Sequence, residues 1–295
     1  MNNFDDTEIA AYCPSTGEIV GHNLHSFKTK EQYEKEKNKR KGYEYYKQNI
    51  EPLPGLLQEQ YGNFIHTQYE SLLKQINDDS ATAFRYIYLC TYMNYGDGYI
   101  IWNDRKIKDD CLIDIFKVSS RLITNIKKDL YNNNLILKDK DGYIKVNTKY
   151  CYRGNLKDAE NYKHHSTRVF NDSIQRLYKK SDPREHKSLG IFILILPYIN
   201  IYHNIICMNV REKNIEKLQL PSTAEFEKIL QCSNRNSNKR LKDLLQITVG
   251  DKPALLMIRH KNCQMYAVNP SIYYGGTNIQ HINELNSYFD AKGGL

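Results

Sequence analysis

Several chemical signatures are missing from this chain. No Cys-x-x-Cys pair, Gly-x-x-x-x-Gly-Lys-Ser/Thr phosphate loop or His-x-His occurs in it. Without the phosphate loop it is not a nucleotide-driven motor of that class. His164-His165 lacks the spacing a relaxase-type initiator needs, and none of the 24 tyrosines has a local reason to be a nucleophile. Metal-dependent nuclease chemistry needs clustered carboxylates. The adjacent pairs Asp78-Asp79 and Asp109-Asp110 read instead as solvated surface. Seven cysteines, an odd number scattered through different local contexts, imply reduced thiols and a cytoplasmic protein. Met1 to Ala10 carries Asp5, Asp6 and Glu8 with no apolar run, so no secretory signal is expected. One stretch, Ser188 to Val210, has no charged residue, but Pro197, Asn200, His203 and Asn204 interrupt it. Its continuous apolar part falls well short of the roughly 20 residues a bilayer needs, so no membrane partner is expected.

What is present is an ordinary folded composition with a basic balance. The 295 residues are 40% hydrophobic and 26% charged, which excludes a largely disordered chain. A formal charge of +8 fits a polyanionic partner without requiring one. Length favours two domains. Residues 1–63 read as a hairpin turning at Ser15, Thr16 and Gly17, followed by a basic arm. Between Lys28 and Lys47 eight basic residues face four acidic ones, with four tyrosines interleaved. Cys13, His22 and His25 lack paired ligand spacing, and no metal is expected there.

From residue 64 to 154 the periodicity gives a buried helix over Thr82 to Asn94, a short strand over Tyr99 to Asn103, and helical spacing at Ile107, Cys111, Leu112 and Ile115. Ser119 caps a further helix to about Tyr131, and Leu135 to Leu137 with Tyr143 to Val146 form a hairpin at Asp141-Gly142. That is the order of a winged helix. The second half repeats it within 188–295: an apolar helix over Leu189 to Asn200, a strand over Ile205 to Asn209, and a helix from Pro221-Ser222-Thr223. Another helix follows over Asn234 to Gln246, then strands over Leu255 to Arg259 and Gln264 to Val268. Both halves close alike, Val146-Asn147 through Tyr152 to Gly154 matching Val268-Asn269 through Tyr274 to Gly276, which argues for duplication. Residues 155–187, rich in Arg, Lys and His, read as a basic connecting helix, and the segment from Thr277 as a cap on the second domain. The expected fold is therefore mainly α with small β wings: tandem winged helix-turn-helix domains.

In the first candidate recognition helix Leu122, Ile123, Ile126 and Leu130 face inward, while Arg121, Thr124, Asn125 and Lys128 face out. In the second, Leu241, Leu244 and Leu245 face inward, and Arg235, Asn236, Lys239 and Lys242 face out. Such side chains bond to base edges and phosphates from a helix in the major groove. Lys138, Lys140 and Lys145 in the first wing, and Arg259 and Lys261 in the second, suit phosphate contacts.

The Thr16-Gly-Glu18 hairpin, the helix-turn-helix from Ile107 to Tyr131 and the two Val-Asn-to-Gly closures resemble RepL-like winged-helix proteins, some labelled MarR-like, of plasmids and phages of low-GC Gram-positive bacteria. In the second half Leu189-Gly-Ile-Phe, Leu196-Pro-Tyr-Ile-Asn200 and Asn204-Ile-Ile-Cys207 resemble phage proteins of that type; the tandem pair departs from the short single-domain initiators. The expectation is a sequence-specific double-stranded DNA-binding protein of a phage or plasmid, a transcriptional regulator or replication-origin binder. It would have no catalytic activity, cofactor or small-molecule ligand, and a homodimer is allowed. The alternative is a winged-helix protein-interaction adaptor.

Overall fold

The computed structural model describes residues 11–12, 15–16, 19–21, 30–45, 47, 52–155, 167–232, 234–260, 263–276 and 278–293. Two compact units divide at Pro52/Leu53, 11 residues before the boundary expected at 63/64. In the first unit β1 (Ala11–Tyr12) and β2 (Ile19–Gly21) pair antiparallel around the expected turn at Ser15 and Thr16. The basic arm is helix α1 (Lys30–Tyr45), and every side chain from Glu34 to Tyr45 is exposed, as a helix that is polar all round requires. Cys13, His22 and His25 lie outside the described residues.

The second unit begins with α2 (Leu53–Tyr61), whose Leu53 and Leu57 are buried. Then come β3 (Phe64–Thr67), α3 (Tyr69–Gln75) and α4 (Ser80–Cys90). Asp79 caps α4 by accepting from the Ala81 and Thr82 amides, so this carboxylate has a structural task. A hairpin of β4 (Ile101–Trp102) and β5 (Arg105–Lys106) follows, then α5 (Leu112–Phe116) and α6 (Ser120–Asn132). The hairpin of β6 (Ile136–Lys138) and β7 (Ile144–Val146), and the short β8 (Cys151–Tyr152), complete this half.

The segment expected as a connecting helix is helical only in part. Residues 156–166, including His164 and His165, lie outside the described residues. Beyond them, β9 (Thr167–Phe170) is a strand and α7 (Asn171–Lys180) an amphipathic helix burying Ile174, Leu177 and Tyr178. Val169 and Phe170 fit the helical spacing of Ile174 and Leu177, but both are wholly buried where β9 pairs with β3 on one side and β14 on the other, and that pairing decides their state. Next come α8 (His186–Ile195), α9 (Thr223–Ile229) and α10 (Asn234–Leu245). Residues Ile205 to Asn209 form no ladder strand; Ile205 and Ile206 make only isolated bridges, to Ala267 and Ile199. The chain ends with β10 (Thr248–Val249), β11 (Lys252–Pro253), β12 (Leu255–His260), β13 (Cys263–Val268), β14 (Tyr273–Tyr274) and α11 (Ile279–Gly293).

Helices thus combine with small antiparallel sheets, the largest of four strands in the order β14-β9-β3-β8. Each half supplies two of those strands, and one apolar core runs through both halves. Helices α4 and α8 pack against each other, so closely that a Cβ on Gly190 would run into the Ser80 carbonyl oxygen. Tyr88 of α4 and Tyr178 of α7 stack with ring centroids 3.6 Å apart and planes 5° from parallel. The two halves therefore fold as one body. On the opposite face of the sheet α2 and α11 pack Leu53, Leu57, Ile282 and Leu285 on Phe170 and Tyr274. The C-terminal helix closes this shared layer as well as capping the second half. No helix among the described residues is long and apolar enough to cross a membrane.

Candidate nucleic-acid interface

The expected reading helix of the first half has a defined seat. Ser119 caps α6 through the Leu122 amide, and Lys117, left-handed at φ 50°, makes the bend from α5. Tyr88 and Tyr178 each donate a hydroxyl hydrogen bond of 2.9 Å to the end of α5, at the Ile115 and Phe116 carbonyls. The α5–α6 corner is therefore held by residues of both halves. Within α6, Ile123, Ile126 and Leu130 are buried. Arg121, Thr124, Asn125 and Lys128 are all exposed and, at 100° per residue, share a stripe about 100° wide. Thr124 gives its hydroxyl hydrogen to the Ser120 carbonyl, leaving its oxygen free to accept.

The following hairpin presents Lys140 exposed at its tip, where Asp139 accepts from the Asp141 and Tyr143 amides and Gly142 has φ 82°. Lys138 is different. It pairs with Asp109 and lies 5.1 Å from the centre of the Tyr131 ring, and Tyr131 donates to the same carboxylate at 2.6 Å. Burial works against ionisation of Asp109, yet the Lys138 and Tyr131 hydrogen bonds hold its carboxyl below its ordinary range. The expectation of a solvated Asp109-Asp110 pair is corrected for Asp109, because α6 and the hairpin meet over it.

The β4–β5 hairpin was not foreseen. Asn103 and Asp104 both have positive φ, 49° and 59°, the requirement of a tight two-residue turn that Asn and Asp tolerate. Asn-Asp between Trp102 and Arg105 was the available signal. This hairpin brings Lys106 to 3.5 Å above the Tyr99 ring, and Lys145 of β7 sits 4.4 Å from the same ring. The Tyr99 hydroxyl donates to Asp139. Arg105, Lys106 and Lys140 are exposed on these two hairpins, which meet at Tyr99.

In the second half the helix expected to open at Pro221-Ser222-Thr223 is α9, and Ser222 and Glu225 form a reciprocal capping box on it. Gln231, left-handed at φ 51°, makes the bend into α10, three residues before the helix starts, as Lys117 is before α6. This fixes the alignment of the two helices: Arg121 with Arg235, Asn125 with Lys239, and Lys128-Asp129-Leu130 with Lys242-Asp243-Leu244. Leu244 is buried and Leu241 and Leu245 are partly so; Lys239 and Lys242 are exposed. Arg235 and Asn236 lie in α10, but their side chains are outside the description, as is Lys261; Arg259 is exposed on β12.

No group of three or more His, Cys, Asp or Glu that could hold a metal occurs among the described residues. No family model, curated protein or solved structure matches the chain.

Proposed function

We infer that the chain is a sequence-specific double-stranded DNA-binding protein whose two halves are winged helix-turn-helix units. It uses α6 and α10 as recognition helices and performs no chemistry. In keeping with the RepL-like resemblance, it serves a phage or plasmid as a transcriptional regulator or replication-origin binder. The observation that carries this reading is the exposed stripe of Arg121, Thr124, Asn125 and Lys128 on a helix anchored by three buried apolar residues. These residue types bond to guanine and adenine edges in the major groove, and the exposed hairpin cations Arg105, Lys106 and Lys140 suit phosphates.

The test is binding of the full chain to a duplex selected from random DNA and to its scrambled form. Asn125→Ala should weaken the selected duplex by about 1 to 3 kcal/mol and leave scrambled DNA nearly unchanged. If Arg121→Ala and Asn125→Ala both bind the selected duplex as the parent does, α6 is not in the groove. Weak DNA binding without sequence preference would favour the adaptor instead.

A further inference from the structure

The two halves are related by rotation, and the register shows which rotation. In the central ladder His66 pairs with Arg168, flanked by Ile65 with Val169 and Thr67 with Thr167. Exchanging His66 with Arg168, and Thr67 with Val169, maps this ladder onto itself. It also maps the outer pairs, His66–Tyr152 and Thr67–Cys151, onto Arg168–Tyr274 and Val169–Tyr273. An approximate two-fold axis therefore passes through the His66–Arg168 pair. A local dyad could be an accident of antiparallel pairing, but the correspondence runs outward as far as the hairpins.

Gln68 donates to the Tyr150 carbonyl as Phe170 does to that of Ile272, and Val146 donates to Gly98 as Val268 does to Asn204. The Asn147 side chain donates to the Asn134 carbonyl and accepts from the Lys149 amide; Asn269 does the same with Pro253 and Ser271. Ile136 faces Val146 as Leu255 faces Val268.

A duplex has its own dyads perpendicular to its axis, and a protein two-fold that coincides with one presents the same end of each reading helix to opposite strands. A screw relation would read a direct repeat; a two-fold reads an inverted one. We propose that a single chain binds one duplex whose two half-sites are inverted about a centre, α6 taking one and α10 the other. This rests on the DNA-binding reading above and adds the symmetry of the target. The half-sites share what Arg121/Arg235 and Lys128/Lys242 read and differ where Asn125 stands opposite Lys239. The repeat is thus imperfect in sequence while symmetric in geometry.

Orientation is read without relying on base identity. A cutting reagent is attached at the first hairpin tip through Lys140→Cys, with Cys13, Cys111, Cys232 and Cys263 changed to Ser. In a second version it is attached at the second hairpin through native exposed Cys263, with Cys13, Cys111 and Cys232 changed to Ser. On the selected duplex the two versions should cut at mirror-related positions on opposite strands, and native mass spectrometry should find one chain per duplex. Inserting about 5 base pairs, half a helical turn, at the centre should lower affinity tenfold or more. Cuts offset in the same direction from their half-sites, a requirement for two chains, or affinity indifferent to the insertion would overturn the proposal while leaving DNA binding intact. Failure to select any duplex would remove both.

Discussion

In the first half Ile126 of α6 is 1% exposed, whereas its counterpart in α10 is Arg240, which turns to the end of α9 and donates to the Leu230 and Gln231 carbonyls at 2.6 and 3.2 Å. Beside α10 lies a groove of about 530 Å³ lined in part by Leu177, Leu189, Leu244 and Ile247, with Arg184 and Asp243 also lining it. Helix α6 is thus seated by apolar burial throughout, whereas α10 combines buried Leu244 with hydrogen bonds to a helix terminus. An apolar seat fixes the distance of a helix from the core. A guanidinium on the preceding helix's carbonyls fixes the angle between the two helices instead, and tolerates looser packing behind.

The largest test strikes the contact between the halves. Gly190→Val should destabilise by about 3 kcal/mol or more, since a side chain there meets backbone in α4, not a mobile tip. Chemical denaturation measures it. Two separate transitions in the variant would mean that the halves can fold apart.

Acid probes the axis itself. Burial, with Arg168 adding to it, pushes His66 down to about 3 from its ordinary 6.5. Because this lowered value belongs to the folded state, the unfolded chain takes up the proton first, so the stability from neutral His66 is complete above pH 6.5. It is lost as pH falls from 6.5 towards 3, by roughly 1.4 kcal/mol per pH unit. In His66→Leu this part of the slope should vanish from denaturation midpoints taken between pH 7 and 4; an unchanged slope would place the titration elsewhere.

The two seats can be compared directly. Ile126→Ala should cost about 2 to 5 kcal/mol through transfer and cavity terms. Arg240→Ala should cost about 1 to 2 kcal/mol, as carbonyls near solvent regain water. Equal losses would erase the distinction between them.

Much of this symmetry was legible because it is written in short-range chemistry. The Val-Asn-to-Gly closures marked the equivalent ends of both hairpins, and Asn147 and Asn269 make the same bonds there. Ser119 signalled the cap it forms, and Pro221-Ser222-Thr223 the start of α9. The central sheet stayed hidden because its strands are two to four residues long and come from four distant places, too short for alternation to stand out. At the site the stripe on α6 could be read from helical spacing. The attachment of Lys138 to Asp109 could not, because 29 residues and a tertiary contact separate them.

That attachment yields the smallest effect. Two lysines two residues apart, read alike from the sequence, differ in what already surrounds them. Lys140 is exposed at the hairpin tip, whereas Lys138 is paired with Asp109 and lies over Tyr131. A cation that displaces a DNA counterion contributes about 0.9 to the slope of log K against log salt. Lys140→Ala should therefore lower the magnitude of the slope by close to that amount on the selected and scrambled duplexes alike. Lys138 brings its own neutralising carboxylate to the interface, so Lys138→Ala alone should change the slope less and bring a repulsive Asp109 into play. Adding Asp109→Asn to Lys138→Ala should then restore most of the lost affinity without restoring a counterion. Equal slope changes for the two single variants would show that the Asp109 pair opens on DNA, and would return Lys138 to the phosphate-binding cations.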